Sequence, residues 1–141
     1  MSVNVLYKTS AKATGGRDGH AATLDGALDV KLTTPKELGG GGGAGNNPEQ
    51  LFAAGYAACF QSAMAHVART QKIALTGSTV TGQVGLATQE IGFKLEVALE
   101  VETQGLSQAD AEALVATAHQ VCPYSNATRG NVDVAITVKA A

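Results

Sequence analysis

The central helix of this chain is predicted by the stretch Asn47-Pro-Glu-Gln-Leu-Phe-Ala-Ala-Gly-Tyr-Ala-Ala-Cys-Phe60. Asn47 is a favourable N-cap, Pro48 suits the first helical position, and Gln50 stands three residues after the cap, as in a capping box. The residues that follow are apolar on every side of the helix, so we expect it to be buried in the centre of the fold. Its helical pattern continues to about Lys72.

Strands are predicted on both sides of this helix by alternating apolar and polar residues. The clearest alternation runs from Phe93 to Glu102, and others cover residues 3–7, 28–32, 80–86 and 132–138. Apolar residues at every second position are typical of strands that bury one face, mostly in antiparallel sheets. We therefore expect sheets that pack one face against the helices.

A second helix is predicted from Ser107 to about Cys122. Asp110 stands at the capping-box position relative to Ser107, and apolar residues then recur at helical spacing. Pro123 disfavours helical geometry in the residue before it, so the helix should end at or near Cys122. The order strands, helix, two strands, helix, strand indicates an α+β fold with antiparallel sheets and two main helices.

Length and composition limit the classes of function. The 141 residues are 45% hydrophobic, which suits one globular domain spanning residues 1–141. The formal net charge of −2 and the aromatic content of 4% argue against a nucleic-acid-binding surface. The chain lacks a run of the ~20 apolar residues that a membrane span needs, and its N-terminus has no signal-peptide pattern. We expect a soluble, cytoplasmic protein with no membrane or nucleic-acid partner.

The glycine-rich segment Gly39–Gly45 predicts a flexible loop. It is not followed by the Gly-Lys-Ser/Thr of a phosphate-binding loop, and no strand leads into it with the spacing of a dinucleotide fingerprint. We therefore expect neither a bound nucleotide nor another cofactor.

Two cysteines, Cys59 and Cys122, lie on the predicted helices. In a reducing cytosol such a pair is more often catalytic, redox-active or metal-binding than a permanent disulfide. The simplest alternative is that both are small core residues, since free cysteine is commonly buried. A shared zinc ion is disfavoured, because Cys59 and His66 are seven helical residues apart, which spans ~10.5 Å.

The two thiols differ in how they could react. Cys59 lies ~18 Å beyond the start of its helix, too far for the helix dipole to stabilise a thiolate, and burial would raise its pKa. A reactive Cys59 therefore needs a positive side chain from elsewhere, and Arg17 in the turn-rich Thr14-Gly-Gly-Arg-Asp-Gly19 is a candidate. The alternative for Arg17 is an exposed position on a hairpin turn. Cys122 ends a helix, where the dipole disfavours a thiolate, so it suits a second, resolving role.

These features resemble the bacterial organic hydroperoxide resistance proteins (Ohr), a branch of the wider OsmC family. The resemblance rests on Thr14–Gly19, Asn47–Phe60 and Val121-Cys-Pro-Tyr-Ser-Asn-Ala-Thr-Arg-Gly-Asn131, and it extends over nearly the whole chain. Ala57 is a mild departure, since many relatives carry serine there. The resemblance implies an OsmC/Ohr-like fold and an intertwined homodimer with two active sites at the subunit interface.

The resemblance also implies a peroxidase mechanism. Cys59 would be the peroxidatic thiol, which becomes a sulfenic acid, and Cys122 the resolving thiol, which closes a Cys59–Cys122 disulfide. Arg17 would hold the Cys59 thiolate, and Glu49 would position Arg17. The implied substrates are alkyl and fatty-acid hydroperoxides, and the implied reductant is a dihydrolipoyl group on a carrier protein, with no metal or cofactor.

Helical spacing adds a constraint on Glu49. It lies ten residues before Cys59, ~15 Å along a continuous helix, so the two cannot meet at one arginine within one chain. We predict that Glu49 and Cys59 of one site come from different subunits, which makes the dimer necessary for activity. A compatible role for Glu49 is to compensate the helix dipole from the first turn.

Two other functions are open on sequence grounds. One is an OsmC-type osmotic and oxidative stress protein with weaker peroxidase activity. The other is a non-catalytic dimer that binds a lipid or small molecule and keeps its cysteines as inert core residues. The roles of His20, His66 and His119 are also open, and we expect structural or surface positions for all three.

Overall fold

A computed structural model of the protein describes residues 3–141. The chain forms two compact units, one up to Pro48 and one from Glu49 onward. Helices and sheets are both present, which confirms the predicted α+β class, while the single domain over residues 1–141 stays a prediction. Across the described residues, every helix is either too short or too polar to span a bilayer.

The first unit is a three-stranded antiparallel sheet in the order β1 (Ala11–Thr14), β2 (His20–Thr23) and β3 (Asp29–Lys31). A short 3-10 helix, Gly16–Asp18, links β1 to β2. A second one, Lys36–Leu38, follows β3 and precedes the glycine-rich loop. The strand predicted from the alternating apolar residues at 28–32 is confirmed as β3.

Residues 3–10 carry no strand, so the strand predicted at residues 3–7 is wrong for this chain. Val3 and Leu6 are 84% and 89% exposed, and the first strand begins only at Ala11. A strand is stabilised by backbone hydrogen bonds to a neighbour and by burial of one face. Residues 3–7 are exposed on both faces, so their alternation alone does not produce a strand.

Three helices and a second three-stranded sheet lie in the remainder of the described chain. The elements from Pro48 onward are, in chain order, α1 (Pro48–Thr70), β4 (Gly77–Thr88), β5 (Phe93–Gln104), α2 (Gln108–Val121), α3 (Pro123–Thr128) and β6 (Val134–Ala140). The sequence pattern predicts α1, β4, β5, α2 and β6, and the start of α2 is confirmed by a hydrogen bond from the Asp110 N–H to the Ser107 hydroxyl. The short helix α3 is not predicted.

The second sheet has the strand order β4-β5-β6. β4 and β5 form a long antiparallel hairpin, with Val84 opposite Val97. β5 and β6 are parallel, with Leu99 opposite Ile136, which departs from the antiparallel pairing expected. The reason is the crossover through α2 and α3, which returns the chain so that β6 runs in the direction of β5.

One face of α1 packs into the core of the second unit. Tyr56, Phe60 and Met64 recur at intervals of four residues and are fully buried. They form one cluster with side chains of the second sheet and of α2, such as Leu99 and Leu114. Burial of a large apolar side chain contributes roughly 1.5–3 kcal/mol, so this cluster fixes α1 against the sheet.

The prediction that α1 is buried on every side is wrong for this chain. Ala54 and Ala58 are exposed, because only the opposite side of the helix faces the sheet. The helix approaches the sheet closely at Gly82 of β4, where a Cβ would lie 2.8 Å from the carbonyl oxygen of Ala53. The missing side chain at Gly82 therefore lets α1 lie directly on the strand.

Candidate active site

The two thiols of the chain meet where α1 contacts the junction of α2 with α3. Cys59 Sγ and Cys122 Sγ lie 3.5 Å apart, although the residues are distant in sequence. Cys122 is fully buried, whereas Cys59 is partly exposed. A disulfide bond is about 2.05 Å long, so these are separate thiols in contact, and bond formation needs a shift of ~1.5 Å. The structure thus brings together the two cysteines that the sequence singles out.

Cys122 is held by the break between two helices. Its N–H donates to the Ala118 carbonyl at 2.8 Å, and its own carbonyl accepts from the Asn126 N–H at 3.0 Å. Its backbone is extended, with a ψ of 123°, because Pro123 disfavours the helical conformation in the residue before it. The predicted end of α2 near Cys122 is confirmed, and the same proline begins α3 at a position that needs no N–H.

The surroundings of Cys59 act on its ionisation in opposite directions. Burial raises the pKa of the Cys59 thiol above its ordinary value, as the sequence predicts. The backbone N–H of Tyr124, in the first turn of α3, faces the sulfur and lowers that pKa, while the neighbouring Cys122 raises it. Because burial is the largest effect, Cys59 stays protonated at neutral pH unless a cation acts on it.

Arg17 lies in the first unit, in the 3-10 helix between β1 and β2. The turn needs glycine at its end, since a Cβ on Gly19 would lie 1.7 Å from the Thr14 carbonyl oxygen. Next to Arg17, the Asp18 carboxylate accepts hydrogen bonds from the N–H and from the hydroxyl of Thr34, each at 3.0 Å. The backbone that carries Arg17 is therefore held firmly within its own unit.

Glu49 lies in the first turn of α1, where a negative charge compensates the helix dipole. The helix is continuous from Pro48 to Thr70, so Glu49 and Cys59 are ~15 Å apart along its axis. The structure thus keeps these two residues apart within one chain. The catalytic roles assigned to Arg17 and Glu49 stay predictions.

Three aromatic rings lie beside the thiol pair. Tyr124 packs against Tyr56 and Phe52, with ring centroids 5.6 Å and 6.0 Å apart. Gly55 makes room for Tyr124, because a Cβ on Gly55 would lie 2.7 Å from the Tyr124 hydroxyl oxygen. Tyr124 is exposed and Phe52 is half-buried, so these two rings form an apolar wall that reaches solvent, with the fully buried Tyr56 behind it.

A buried chain of polar groups links the three helices behind this wall. The Ser125 hydroxyl oxygen lies 2.7 Å from the Tyr56 hydroxyl oxygen and 2.8 Å from Nδ1 of His119. Tyr56 and Ser125 are both fully buried. These residues are not among the predicted site residues, although the sequence carries a signal: Tyr56 and His119 each stand three residues before a cysteine, which places them on the cysteine's side of the helix.

The three histidines have different positions. His119 lies next to the thiols, and burial together with the nearby Arg129 charge lowers the pKa of its ring, which is therefore neutral at neutral pH. His20 pairs with Asp29 in the first unit, and His66 is exposed on α1. Within residues 3–141 no three histidine, cysteine or acidic side chains converge as a metal site would require.

Comparison with known proteins identifies the family of this chain. The family model for OsmC-like proteins matches residues 40–137. The organic hydroperoxide resistance protein of Xanthomonas axonopodis pv. citri is 55% identical over 135 residues, which are 95% of each chain. The chain belongs to the OsmC family, in its organic hydroperoxide resistance branch.

Solved structures from this branch agree with the fold. The organic hydroperoxide resistance protein OsmC of Legionella pneumophila is 60% identical, with a TM-score of 0.93 over 96% of this chain and 99% of that one. A Vibrio cholerae structure assigned as an organic hydroperoxide resistance protein is 50% identical, with a TM-score of 0.92 over 98% of this chain and 95% of that one. That structure has captopril bound in one of its active sites. The predicted OsmC/Ohr-like fold is confirmed.

Proposed function

We propose that this protein is a thiol peroxidase that reduces organic hydroperoxides to alcohols. Its relationship to organic hydroperoxide resistance proteins supports a role in peroxide resistance. The observation that carries the peroxidase mechanism is the 3.5 Å contact between Cys59 Sγ and Cys122 Sγ. One of these thiols is partly exposed and the other fully buried, which suits an attacking and a resolving thiol respectively.

The first step oxidises Cys59. Its thiolate attacks the peroxide oxygen that is remote from the carbon chain, so an S–O bond forms while the O–O bond breaks. The leaving alkoxide takes up a proton and departs as the alcohol. The peroxide gains two electrons, and the sulfur loses them and becomes a sulfenic acid.

The second step closes the disulfide and the third one opens it. The Cys122 sulfur attacks the Cys59 sulfur, the S–O bond breaks, and the hydroxyl leaves as water after it takes up a proton. A dihydrolipoyl group on a carrier protein then reduces the disulfide by thiol–disulfide exchange and is itself oxidised to the cyclic disulfide. We place this cycle in the cytoplasm, where dithiols are kept reduced.

Arg17 is the cation of the proposed site. Burial raises the pKa of Cys59, so the thiolate needs a positive neighbour. The Arg17 guanidinium would lower that pKa and stabilise the charge that develops as the O–O bond breaks. Glu49 would orient Arg17 through a carboxylate–guanidinium pair.

The proposed site requires two subunits. Glu49 is ~15 Å from Cys59 along α1, so the Glu49 of one chain would serve the Cys59 of the other in an intertwined homodimer. The exposed apolar residues of the N-terminal segment, such as Val3 and Leu6, are consistent with a surface that a second chain covers. The Vibrio cholerae relative, with more than one active site, supports this arrangement.

The aromatic wall of Phe52 and Tyr124, with the buried Tyr56 behind it, would receive the carbon chain of the substrate. Each methylene that it buries would favour binding by ~0.8 kcal/mol, which selects alkyl and fatty-acid hydroperoxides over hydrogen peroxide. Leu51 is half-buried on α1 and could extend this surface, whereas Phe60 belongs to the core and does not line it.

The test is a steady-state peroxidase assay with cumene hydroperoxide and dihydrolipoamide, set against hydrogen peroxide and against other thiols as reductants. We expect turnover with the organic peroxide and the dithiol, and none in Cys59→Ser. Weak turnover without preference for the organic peroxide would favour a general stress protein of the OsmC type. If one equivalent of hydroperoxide consumes no thiols at all, the protein is a binding module with inert cysteines.

A further inference from the structure

Ser125 is a fully buried residue that joins three helices. It lies in the first turn of α3, and its hydroxyl contacts the Tyr56 hydroxyl of α1 at 2.7 Å and Nδ1 of His119, in the last turn of α2, at 2.8 Å. Its carbonyl accepts from the Thr128 hydroxyl at 3.1 Å and from the Arg129 N–H at 2.9 Å. Ser125 is therefore held at both its side chain and its backbone.

The same turn of α3 carries the groups that act on Cys59. Cys122 immediately precedes the helix, and its carbonyl accepts the Asn126 N–H at 3.0 Å. The Tyr124 N–H faces the Cys59 sulfur and favours its thiolate. A displacement of Ser125 would therefore move both this N–H and Cys122 Sγ, which lies 3.5 Å from Cys59 Sγ.

We propose that Ser125 is the positioning residue of the thiol pair and holds the first turn of α3 so that Cys122 stays within bonding reach of Cys59. It acts through its hydrogen bonds to Tyr56 and His119 and does not touch the peroxide. The expected effect of Ser125 on the rate of disulfide formation rests on the proposed function. Its expected effect on the stability of the disulfide is independent of that function.

The hydrogen-bonding capacities of the three side chains match. A serine hydroxyl donates one proton and accepts through its lone pairs. Because the His119 ring is neutral at neutral pH, its Nδ1 can accept the Ser125 proton. The Ser125 oxygen then accepts the proton of the Tyr56 hydroxyl, so each of these polar atoms has a partner.

Two variants remove this chain of hydrogen bonds in steps. Ser125→Ala removes both hydroxyl contacts, and Tyr56→Phe removes one of them while it keeps the ring. Thr103→Val is the matched control, because the Thr103 hydroxyl is equally buried but has no hydrogen-bond partner within residues 3–141. The quantity measured is the equilibrium constant of the Cys59–Cys122 disulfide in glutathione redox buffers, by thiol alkylation and mass spectrometry.

Loss of positioning lowers the effective concentration of one thiol at the other. We expect the equilibrium constant to fall at least about tenfold in Ser125→Ala and about threefold in Tyr56→Phe. In Thr103→Val it should stay within about twofold of the wild-type value. A folded Ser125→Ala protein with an unchanged or larger constant would overturn the proposal. If Ser125→Ala does not fold, Tyr56→Phe decides by the same criterion.

A kinetic readout tests the partner residue. After one equivalent of cumene hydroperoxide, Ser125→Ala should accumulate Cys59 sulfenic acid, trapped with dimedone, because Cys122 reacts slowly. His119→Asn, whose amide oxygen can replace Nδ1, should form the disulfide faster than His119→Leu, and equal rates would contradict the proposed contact. If the wild-type protein ignores hydroperoxide while the equilibrium constants follow the expected order, the peroxidase function fails and the positioning role stands.

Discussion

Replacement of Arg17 by alanine should slow the oxidation of Cys59 at pH 7 by at least about thirtyfold. An ordinary thiol with a pKa of about 8.5 is ~3% ionised at pH 7. Burial raises the pKa of Cys59 above its ordinary value, so without a cation its thiolate fraction is smaller still. A guanidinium that ionises the thiol fully therefore raises the reactive fraction more than ~30-fold, and Arg17→Ala loses this gain.

The assay is stopped-flow consumption of cumene hydroperoxide by the reduced protein from about pH 5 to about pH 10. The wild-type rate should be level around neutral pH, because the thiolate is already formed. Around neutral pH, the Arg17→Ala rate should rise about tenfold per pH unit, because its thiol is still mostly protonated there. Arg17→Lys should recover part of the rate, and Arg69→Ala, at an exposed arginine in the last turn of α1, is the matched control.

Two results would refute this reasoning. An Arg17→Ala protein with the wild-type rate at pH 7 would remove Arg17 from the site. A rate that is lower by the same factor at every pH would mean that Arg17 acts on the breaking O–O bond and not on the ionisation of Cys59.

Three other changes have distinct outcomes. Cys122→Ser should still oxidise Cys59 once, to a sulfenic acid seen by mass spectrometry, but should not turn over normally with a dithiol; normal turnover would contradict the resolving role. Folding lowers the pKa of His119, so the unfolded chain takes up a proton that the folded chain does not, and stability falls as the pH drops below about 6.5. His119→Asn should remove that part of the pH dependence in urea unfolding. Gly82→Ala should destabilise the fold by about 1–3 kcal/mol, because its Cβ would lie 2.8 Å from the Ala53 carbonyl oxygen; unchanged thermal unfolding would contradict this close approach.

Local signals predict most of the helices and strands. The cap before Pro48 predicts the start of α1, and the Ser107 hydroxyl accepts from the Asp110 N–H as the capping box requires. Pro123 predicts the end of α2 through its effect on the preceding residue. These rules involve residues that are at most four positions apart, so the sequence contains all that they need.

Local signals fail where a partner element decides the outcome. Apolar and polar residues alternate both in residues 3–7 and in β5. However, β5 has a paired strand on each side and a buried face, whereas residues 3–7 have neither. The parallel pairing of β5 with β6 depends on the path of α2 and α3 between them. The exposed side of α1 at Ala54 and Ala58 depends on which face the sheet covers. The alternation of apolar and polar residues and the apolar content of a segment do not determine which elements it packs against.

The candidate site divides in the same way. The sequence by itself supplied the candidate residues: Cys59, Cys122 and Arg17 stand in local motifs, the resemblance to the Ohr proteins adds Glu49, and the catalytic roles of all four stay predictions. Only the tertiary structure decided that the two sulfurs lie 3.5 Å apart, and that Ser125 lies behind them with a partner on each of two other helices. The Cys59–Cys122 and Tyr56–Ser125 contacts join residues 63 and 69 positions apart. Their distances follow from how α1 packs on the sheet and on α3, which no short stretch of chain encodes.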